Sequence, residues 1–584
     1  MKTKMSKRVL TLVLAIVLTF ALGVSAFATW SSFQHNKENN GTINANATPP
    51  ISANPTIVPP QLSVSGTLFS GIDTTPVIQG NNAYVVYNGG EVNGTSGGAR
   101  LARVDITSTN PNTATVWDIQ LDNQANNAQQ LSTPYYDSSA NAVYAGVTYD
   151  VNRLSGKTLN NWTSSAISGG VLTIPADTTV TLTYSGLNIP GAYSQAYFMT
   201  GITPASGTGM SGTVTLVNDE SGATYNYGTS YSYAGYEFGL YNNSGLTVPS
   251  GSYNVTITLT STATVTSTAP ITCIVSYWKL YRVTDLTNST PTVNPITNGA
   301  GQISTPINTG SGYLYFGVYE GDRCYYQVNP STGDKVSFKP TGGEDFYWAG
   351  AARVGDYMVF GSESGKVYKR PIGTGFGTGT GAVLDLNTAD TSVTTNPGKV
   401  RSSVCYDGSN LYLTTNNGYL WKMDTAITTQ SAIAINLQDS TYVSACSSTP
   451  VVSANNYIYV GGYKTVYNTS TWTTEYYGEV YAIPVSSFTQ ASLQSLWVSN
   501  TEAVQSSVVT FSTTNPSTGT AVDYLYFTTN CANGKGYCLS YAPGSTTSST
   551  VWTAGSGYTV QGMAAADNGT IVFGNDDNEL YIVK

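Results

Sequence analysis

The stretch STPVVSANNYIYVGG, residues 448–462, has two short apolar runs separated by a polar turn. A proline precedes the first run and a glycine pair ends the second, which is typical of two antiparallel β-strands joined by a tight hairpin. Similar stretches are TTPVIQGNNAYVVYNG from residue 74, STPYYDSSANAVYAG from residue 132 and STPINTGSGYLYFG from residue 304. The hairpin is therefore one copy of a unit that the chain repeats.

Each unit continues into a third strand such as YLWKMD (419–424) or EVYAIP (479–484), and often into a fourth such as LQSLWVSN (493–500). Weaker copies begin at Gly355, Ser402, Tyr524 and Gly562. The eight units start roughly 45 to 60 residues apart, with one exception, and this is the period of a propeller blade.

We therefore predict an all-β protein, an eight-bladed β-propeller, with seven blades as the alternative. A ring of blades removes the open sheet edges that would otherwise invite aggregation. A string of separate β-sandwich domains is the competing interpretation, but it predicts units nearer ~100 residues.

The two ends of the chain predict how the ring closes. The last unit stops at Lys584 after three strands, so its blade lacks a fourth. Near the N-terminus, ATWSSF places Trp30 where Trp117, Trp497 and Trp552 stand in other units. We expect this N-terminal strand to complete the last blade.

One unit breaks the period. Its second strand ends near Tyr149 and its third begins at Lys279. The intervening residues read as alternating strands, and VPSGSYNVTITL within them resembles strand pairs of immunoglobulin-like and carbohydrate-binding β-sandwiches. We predict an inserted β-sandwich at residues 150–278, flanked by propeller segments at 29–149 and 279–584.

The repeated pattern of strand, glycine, short turn, G-x-[LV]-Y and outer tryptophan resembles the PQQ-type repeat of quinoprotein-like propellers. GSESGKVYKRP from Gly361, YYQVNPSTGD from Tyr325 and WSSFQHNKENNGT from Trp30 carry the resemblance. It implies a propeller over most of the chain outside the insertion. The family's enzymes hold their quinone with a disulfide between adjacent cysteines, and this chain has no Cys-Cys pair and no C-x-x-C-H haem motif. We expect no cofactor and assign no cofactor-binding residue.

The N-terminus has the layout of a signal peptide. Basic residues precede a long apolar run, and Ala26-Phe27-Ala28 supplies small residues for cleavage. A membrane anchor is the alternative, because the run approaches spanning length. We predict a signal peptide at residues 1–28 and a secreted or cell-surface protein with no membrane span in the mature chain.

Charge and histidine content limit the chemistry. The formal net charge is −9 with only 24 Lys plus Arg, so nucleic acid is not an expected partner. His35 is the single histidine. A Ser-His-Asp triad or a multi-histidine metal site is therefore excluded away from His35.

Aromatic residues outside the repeat pattern are the candidate contacts for a glycan or protein partner, because tyrosine and tryptophan present an apolar ring with a polar tip. One group lies in the insertion and one in the long hairpin after residue 462; the alternative is ordinary packing within their sheets. The candidates are Tyr231, Tyr233, Tyr236, Trp472, Tyr476 and Tyr477. In contrast, Phe346, Tyr347 and Trp348 are expected in the core of the fourth unit.

Cys531 and Cys538 flank the turn ANGKG, and we predict a disulfide between them. The pairing of the other four cysteines is left open; they are Cys273, Cys324, Cys405 and Cys446. Asp576, Asp577 and Glu579 are weak candidates for calcium ligands, since the same residue types also form hairpin turns.

These features predict an exported, non-enzymatic propeller that binds or scaffolds glycan or protein partners, and no catalytic residue is assigned. The alternatives are an enzyme acting at the centre of the propeller, or a self-assembling surface-layer or filament subunit. The enzyme would be a glycoside hydrolase or lyase using paired carboxylates, or a PQQ-type dehydrogenase.

Overall fold

The computed structural model is an all-β protein. It describes residues 29–43, 56–58, 70–89, 91–92, 95–96, 98–122, 128–189, 196–231, 237–241, 248–249, 251–390, 393, 396–438, 441–468, 473–515, 517–555, 557–559 and 561–584. The predicted signal peptide lies outside these residues. Among the described residues, no helix is long and apolar enough to cross a bilayer.

Antiparallel sheets follow one another along the chain, and we number those of the repeated units sheets 1 to 8. Within each sheet the strands are hydrogen-bonded in the order given. Sheet 1 contains Val77–Gln79, Asn82–Gly89, Ala99–Asp105 and Thr115–Gln120, and sheet 2 contains Tyr135–Asp137, Ala142–Asn152, Thr272–Thr284 and Thr292–Ala300. Sheet 3 contains Asn308–Gly310, Tyr313–Tyr319, Tyr325–Val328 and Lys335–Phe338, and sheet 4 contains Ala352–Val354, Tyr357–Gly361, Lys366–Pro371 and Ala382–Asp385. Sheet 5 contains Cys405–Tyr406, Asn410–Thr415, Tyr419–Asp424 and Ile433–Asn436, and sheet 6 contains Val451–Val452, Tyr457–Asn468, Thr473–Pro484 and Gln494–Ser499. Sheet 7 contains Val509–Thr514, Ala521–Thr528, Gly536–Tyr541 and Ser548–Ala554, and sheet 8 contains Ala564–Ala565, Ile571–Gly574, Leu580–Val583 and Thr56–Val58.

Short elements complete these sheets. Additional strands are Thr29–Trp30 and Ser70–Gly71 in sheet 1, Ala128–Leu131 in sheet 2, Gln302–Ile303 in sheet 3, and the separate pair Glu91–Val92 and Thr95–Ser96. The short helices are Pro111–Ala114 and Leu386–Ala389, with 3₁₀ turns at Leu159–Asn161, Gly373–Gly375, Thr429–Ser431, Val485–Ser487 and Gln490–Ser492.

The stretch at 448–462 forms the predicted hairpin. Val451 pairs with Tyr459 across a turn in which Ser453 N–H donates to the Tyr457 carbonyl at 2.8 Å. Asn456 closes the turn with φ of 61°, a left-handed conformation that asparagine tolerates better than most residues. The hairpin prediction is therefore confirmed at the level of the individual strands.

A glycine in the second strand of several units marks the contact between sheets. A β-carbon at Gly461 would lie 2.4 Å from a methyl of Val504, which belongs to the link into sheet 7. The same relation joins Gly361 to Val400 and Gly574 to Ile72. The last pair brings sheet 8 against the link into sheet 1, so the two ends of the repeat meet as neighbouring units do elsewhere.

Buried side chains form a core between each sheet and the next. Six of these clusters each join two neighbouring sheets, from the pair of sheets 1 and 2 to the pair of sheets 6 and 7. The largest cluster joins sheets 7, 8 and 1. In that cluster Tyr526, Phe573 and Val85 represent the three sheets. Sheets that share cores in sequence and return to the first have the architecture of a β-propeller.

The strand that completes sheet 8 is not the predicted one. Thr56–Val58 pairs with Leu580–Val583, whereas Thr29–Trp30 pairs with the first strand of sheet 1. The expectation for Trp30 was therefore wrong. The N-terminal region does supply the missing fourth strand, but from a segment about 26 residues further along, which carries no tryptophan.

Residues 29–43, here called the N-terminal plug, run along the first strands of the sheets. The bonds join Tyr136 N to Ser31 O at 2.8 Å, Arg353 N to Lys37 O at 2.8 Å, Tyr406 N to Glu38 O at 2.9 Å, and Thr510 N to Gly41 O at 2.9 Å. First strands are sheet edges, so the plug satisfies backbone groups that would otherwise lack partners.

The insertion lies between the second and third strands of sheet 2 and has a core of its own, which includes Leu182, Val214 and Ile257. Its strands are Ile167–Ser168, Val171–Ile174 and Val265–Ser267; Thr178–Ile189, Gly251–Ser261, Met210–Asn218 and Thr224–Tyr227; and Ala196–Met199, Gly239–Tyr241 and Thr229–Tyr231, the last three extending sheet 2.

Candidate functional site at the axial cavity

A cavity forms where the residues preceding the first strands converge. These residues form the links from one sheet into the next. In a four-stranded antiparallel sheet, the link and the hairpin between the second and third strands lie at the same end. The volume open to the centres of water-sized molecules in the cavity is about 30 Å³. Its lining consists of Phe33 from the plug together with Leu131, Thr133, Ser304, Pro306, Trp348, Arg401, Ser403, Ser447, Thr449, Gln505, Ser507 and Gln561. We call this space the axial cavity.

In several units a Ser/Thr-Ser/Thr pair precedes the first strand, and its first hydroxyl binds within its own sheet. Ser402 Oγ accepts from Thr414 N–H at 2.8 Å and donates to the Thr414 carbonyl at 3.1 Å. Ser506 makes the same two bonds with Thr528, both at 2.9 Å. This hydroxyl therefore locks the entry of the first strand to the second strand.

The second hydroxyl of the pair connects neighbouring sheets. Ser403 N–H donates to Thr449 Oγ1 at 3.0 Å, and Thr449 N–H donates to Ser507 Oγ at 3.0 Å. Thr75 N–H donates to Thr133 Oγ1 at 3.3 Å. The repeated motif thus builds a belt of hydroxyl groups around the cavity, and each of these bonds links one unit to the next.

Arg401 is the one ionisable side chain among the described residues of the cavity wall. Its Nε and Nη2 donate to the two carboxylate oxygens of Glu363 at 2.8 and 2.9 Å, and Lys399 contacts the same carboxylate at 2.8 Å. The guanidinium carbon lies 4.9 Å from the ring centre of Tyr347. A bidentate pair of this kind fixes the plane of the guanidinium at the mouth of the cavity.

Trp348 lies at the mouth with an unusual backbone. Its φ is 59°, which is rare for a bulky residue and costs conformational energy. Its ring stacks on Tyr347, with centroids 4.7 Å apart. Phe346 is fully buried as expected, but Tyr347 and Trp348 are partly exposed, so the prediction that all three belong to the core was wrong for these two.

Two carboxyl groups meet on the rim. The backbone of Ile72 donates to the Asn575 carbonyl at 2.9 Å, and Gly71 permits the close approach, because a β-carbon there would lie 2.8 Å from Asp576 Cα. Desolvation and the neighbouring Asp73 carboxyl raise the pKa of Asp576 to about 7, and desolvation also raises the pKa of Asp73. Burial and the neighbouring charge therefore both favour the protonated form of Asp576.

The weak calcium candidates do not converge. Glu579 accepts from the Tyr581 hydroxyl at 2.6 Å and from Asn575 Nδ2 at 3.1 Å, whereas Asp576 is engaged with Asp73. In the part of the chain that the structure describes, no group of three His, Cys, Asp or Glu side chains is arranged to hold a metal ion.

Tyr476 and Tyr477 occupy opposite faces of the long hairpin, as successive residues of a strand must. The Tyr476 ring lies 6.4 Å from that of Tyr558, and burial is the main reason that its pKa rises to about 12. Tyr477 instead donates to Glu475 at 2.9 Å. Trp472, Tyr233 and Tyr236 lie outside the described residues, and Tyr231 is described only as the end of the strand Thr229–Tyr231.

The predicted disulfide is absent, because all six cysteines are free thiols. Tyr526 pairs with Cys538 in the hairpin register, and the second strand ends at Thr528. Cys531 therefore lies in the turn and not opposite Cys538. The two cysteines flank the turn in the sequence, which suggested that they face each other across the hairpin. The observed register does not place them opposite each other.

Sequence reasoning did not find Arg401, Trp348, Glu363 or Asp73. Position in the repeat was the available signal, because Arg401 directly precedes the hydroxyl pair and Asp73 directly precedes Thr74-Thr75. Residues just before the first strands of several sheets line the cavity, so the repeat alignment identifies this position as a candidate.

No protein-family model matches the chain. No curated protein matches it either. Among solved structures, a chain of the mitotic checkpoint complex is similar to 52% of this chain and 81% of its own length, with 11% identity and a TM-score of 0.34. The WD40 β-propeller domain of Doa1 covers 53% of this chain and 88% of its own length (10% identity, TM-score 0.31), and BamB from Moraxella catarrhalis covers 48% and 83% (12% identity, TM-score 0.29). At these scores, the β-propeller assignment depends on the sheet order and the shared cores.

Proposed function

We propose that the chain is an exported, eight-bladed β-propeller with a β-sandwich inserted in its second blade, and that it binds a glycan or protein partner at the end where the axial cavity opens. Sheets 1 to 8 support the blade number, since each shares a core with the next. The separate core of the insertion supports an independent sandwich.

The rim of the axial cavity is the observation that carries the proposal. Trp348 lines the cavity and stacks on Tyr347, and Tyr476 lies against Tyr558, which is 37% exposed in the link into sheet 8. Aromatic rings with polar neighbours suit both sugar faces and protein hot spots. The insertion and the long hairpin of sheet 6 both leave the ring at this end, so a partner would meet them together.

A matched pair of tyrosines tests the location. Tyr558 and Tyr357 are both 37% exposed, but Tyr357 begins a second strand and so lies at the opposite end of the ring. We expect Tyr558→Ala to weaken binding by roughly 3- to 10-fold, because an aromatic contact contributes about 0.5 to 1.5 kcal/mol.

Tyr357→Ala should leave binding unchanged. Partners would be selected by glycan array and by pull-down with the full mature chain, and affinities measured by biolayer interferometry. Equal losses in both variants, or a partner that binds with both tyrosines removed, would contradict a site at the cavity end.

The carboxyl pair favours acid–base chemistry as a second candidate function. Asp73 and Asp576 share a hydrogen bond, which places them closer than the roughly 5 to 5.5 Å of a retaining glycosidase. They resemble in arrangement a proton-sharing dyad with one group poised near neutral pH. Hydrolysis of a panel of glycosides and peptides that is abolished by Asp576→Asn would favour this function, and inactivity across the panel would exclude it.

A further inference from the structure

The wall of the axial cavity is rich in hydrogen-bond donors and contains no carboxylate among the described residues. Its polar side chains are hydroxyls, two glutamine amides and the Arg401 guanidinium. The acidic residues of the region, such as Glu363, stand behind the wall or on the rim. The lining is therefore suited to a group that accepts hydrogen bonds.

The belt hydroxyls have unused protons. A serine or threonine hydroxyl has one O–H donor and two lone pairs. Thr449 Oγ1 and Ser507 Oγ each accept a backbone N–H from the neighbouring unit, and Ser403 Oγ accepts from Gly350 N–H at 3.0 Å. Within the described residues, no acceptor is recorded for the protons of these three hydroxyls, so they are available to a group in the cavity.

Ser304 supplies an independent observation. Its side chain is 5% exposed and its Oγ has no hydrogen-bond partner among the described residues, although it lines the cavity. In native structures a buried hydroxyl without a protein partner usually bonds to an ordered water or a bound group. In this unit Thr305 takes the structural role, since its hydroxyl accepts from Gly317 N–H at 2.7 Å.

Arg401 completes the donor set. Its pair with Glu363 engages Nε and Nη2, which leaves Nη1 for another acceptor. Phe33, Leu131, Pro306 and Trp348 provide the apolar part of the lining.

We propose that the axial cavity binds the carboxylate of a small organic acid, with Ser304, the belt hydroxyls and Arg401 as its donors. A carboxylate fits because it offers about four lone-pair sites and no donor, so each of these groups finds an acceptor. A sugar or water would bring no negative charge to Arg401, the one cationic side chain in the described part of the wall. The proposal goes beyond partner binding at the rim and stands on the cavity alone.

Acetate and propionate are the probes, and propionamide is the neutral control of matched shape. Binding to the mature full chain would be measured at constant ionic strength and pH 7.5 by calorimetry, with crystals soaked in acetate to locate the site. We expect both acids to bind and to raise the melting temperature, and propionamide to do neither. Absence of acid binding, or equal binding of propionamide, would overturn the proposal.

Ser304→Ala is the decisive variant, because its hydroxyl has no partner to lose and the fold should be unaffected. We expect about 5- to 10-fold weaker acetate binding with an unchanged melting temperature of the ligand-free protein. Ser331→Ala, in an exposed turn of the same sheet, is the matched control and should bind acetate normally. Equal affinity in the two variants would place the acetate elsewhere and overturn the assignment. The Tyr558→Ala measurement uses a different ligand, so either proposal can fail alone.

Discussion

The protonation of His35 depends on its surroundings in the ring. It lies in the plug with its ring 5.0 Å from that of Trp30, and its φ of 77° is left-handed. Burial lowers its pKa below the usual 6.5, although a hydrogen bond with Asn40 and the charge of Asp567 favour protonation. The folded protein therefore holds a neutral imidazole in the base of the propeller.

This predicts a loss of stability in acid. As pH falls below about 6.5, the unfolded chain binds a proton at this histidine before the folded chain does, so the free energy of unfolding decreases. His35→Asn, which tolerates the left-handed backbone, should lose less stability than the native chain between pH 7.5 and pH 5. Urea unfolding at both pH values measures the difference, and parallel losses in the two proteins would contradict a role for His35.

At the scale of the element, the repeated glycine has a packing role. Gly461 ends the apolar part of the second strand in sheet 6, and a β-carbon there would overlap the Val504 side chain of the next link. Gly461→Ala should therefore lower the free energy of unfolding by about 1 to 3 kcal/mol through overpacking. Val504→Ala in the same chain removes the colliding methyl groups.

The two substitutions should be non-additive. The double variant is expected to lose less stability than the sum of the single losses, since residues in contact couple by about 0.5 kcal/mol or more. Denaturant unfolding of the four proteins measures the coupling. Additive losses would contradict the contact with Val504 as the reason for the glycine.

The elements themselves were the most predictable part of the molecule. Period-two alternation and turn residues located the hairpins, including 448–462, because both signals are local in sequence. The disulfide prediction was wrong because strand register depends on the whole ladder of hydrogen bonds. That register places Tyr526, and not Cys531, opposite Cys538. The site failed for a similar reason: Arg401 and Trp348 reach the cavity from different sheets, and only the closed ring brings them together.

At the scale of the whole molecule, the N-terminal region acts on the ring twice. The plug bonds to first strands of several sheets, and Thr56–Val58 supplies the outer strand of sheet 8. Contacts between sheet 8 and sheet 1, such as Gly574 against Ile72, depend on that closure. The insertion, with its separate core, does not share these contacts.

Deletion of residues 29–58 should therefore loosen the ring without loosening the insertion. Hydrogen exchange followed by mass spectrometry is expected to show lost protection in Leu580–Val583, which loses its strand partner, and in Val77–Gln79, which loses the plug. Thr178–Ile189 should keep its protection, because it pairs with Gly251–Ser261 inside the insertion. Unchanged exchange in Leu580–Val583 would contradict closure by the N-terminal region. Equal loss in Thr178–Ile189 would show that the insertion and the ring unfold as one unit.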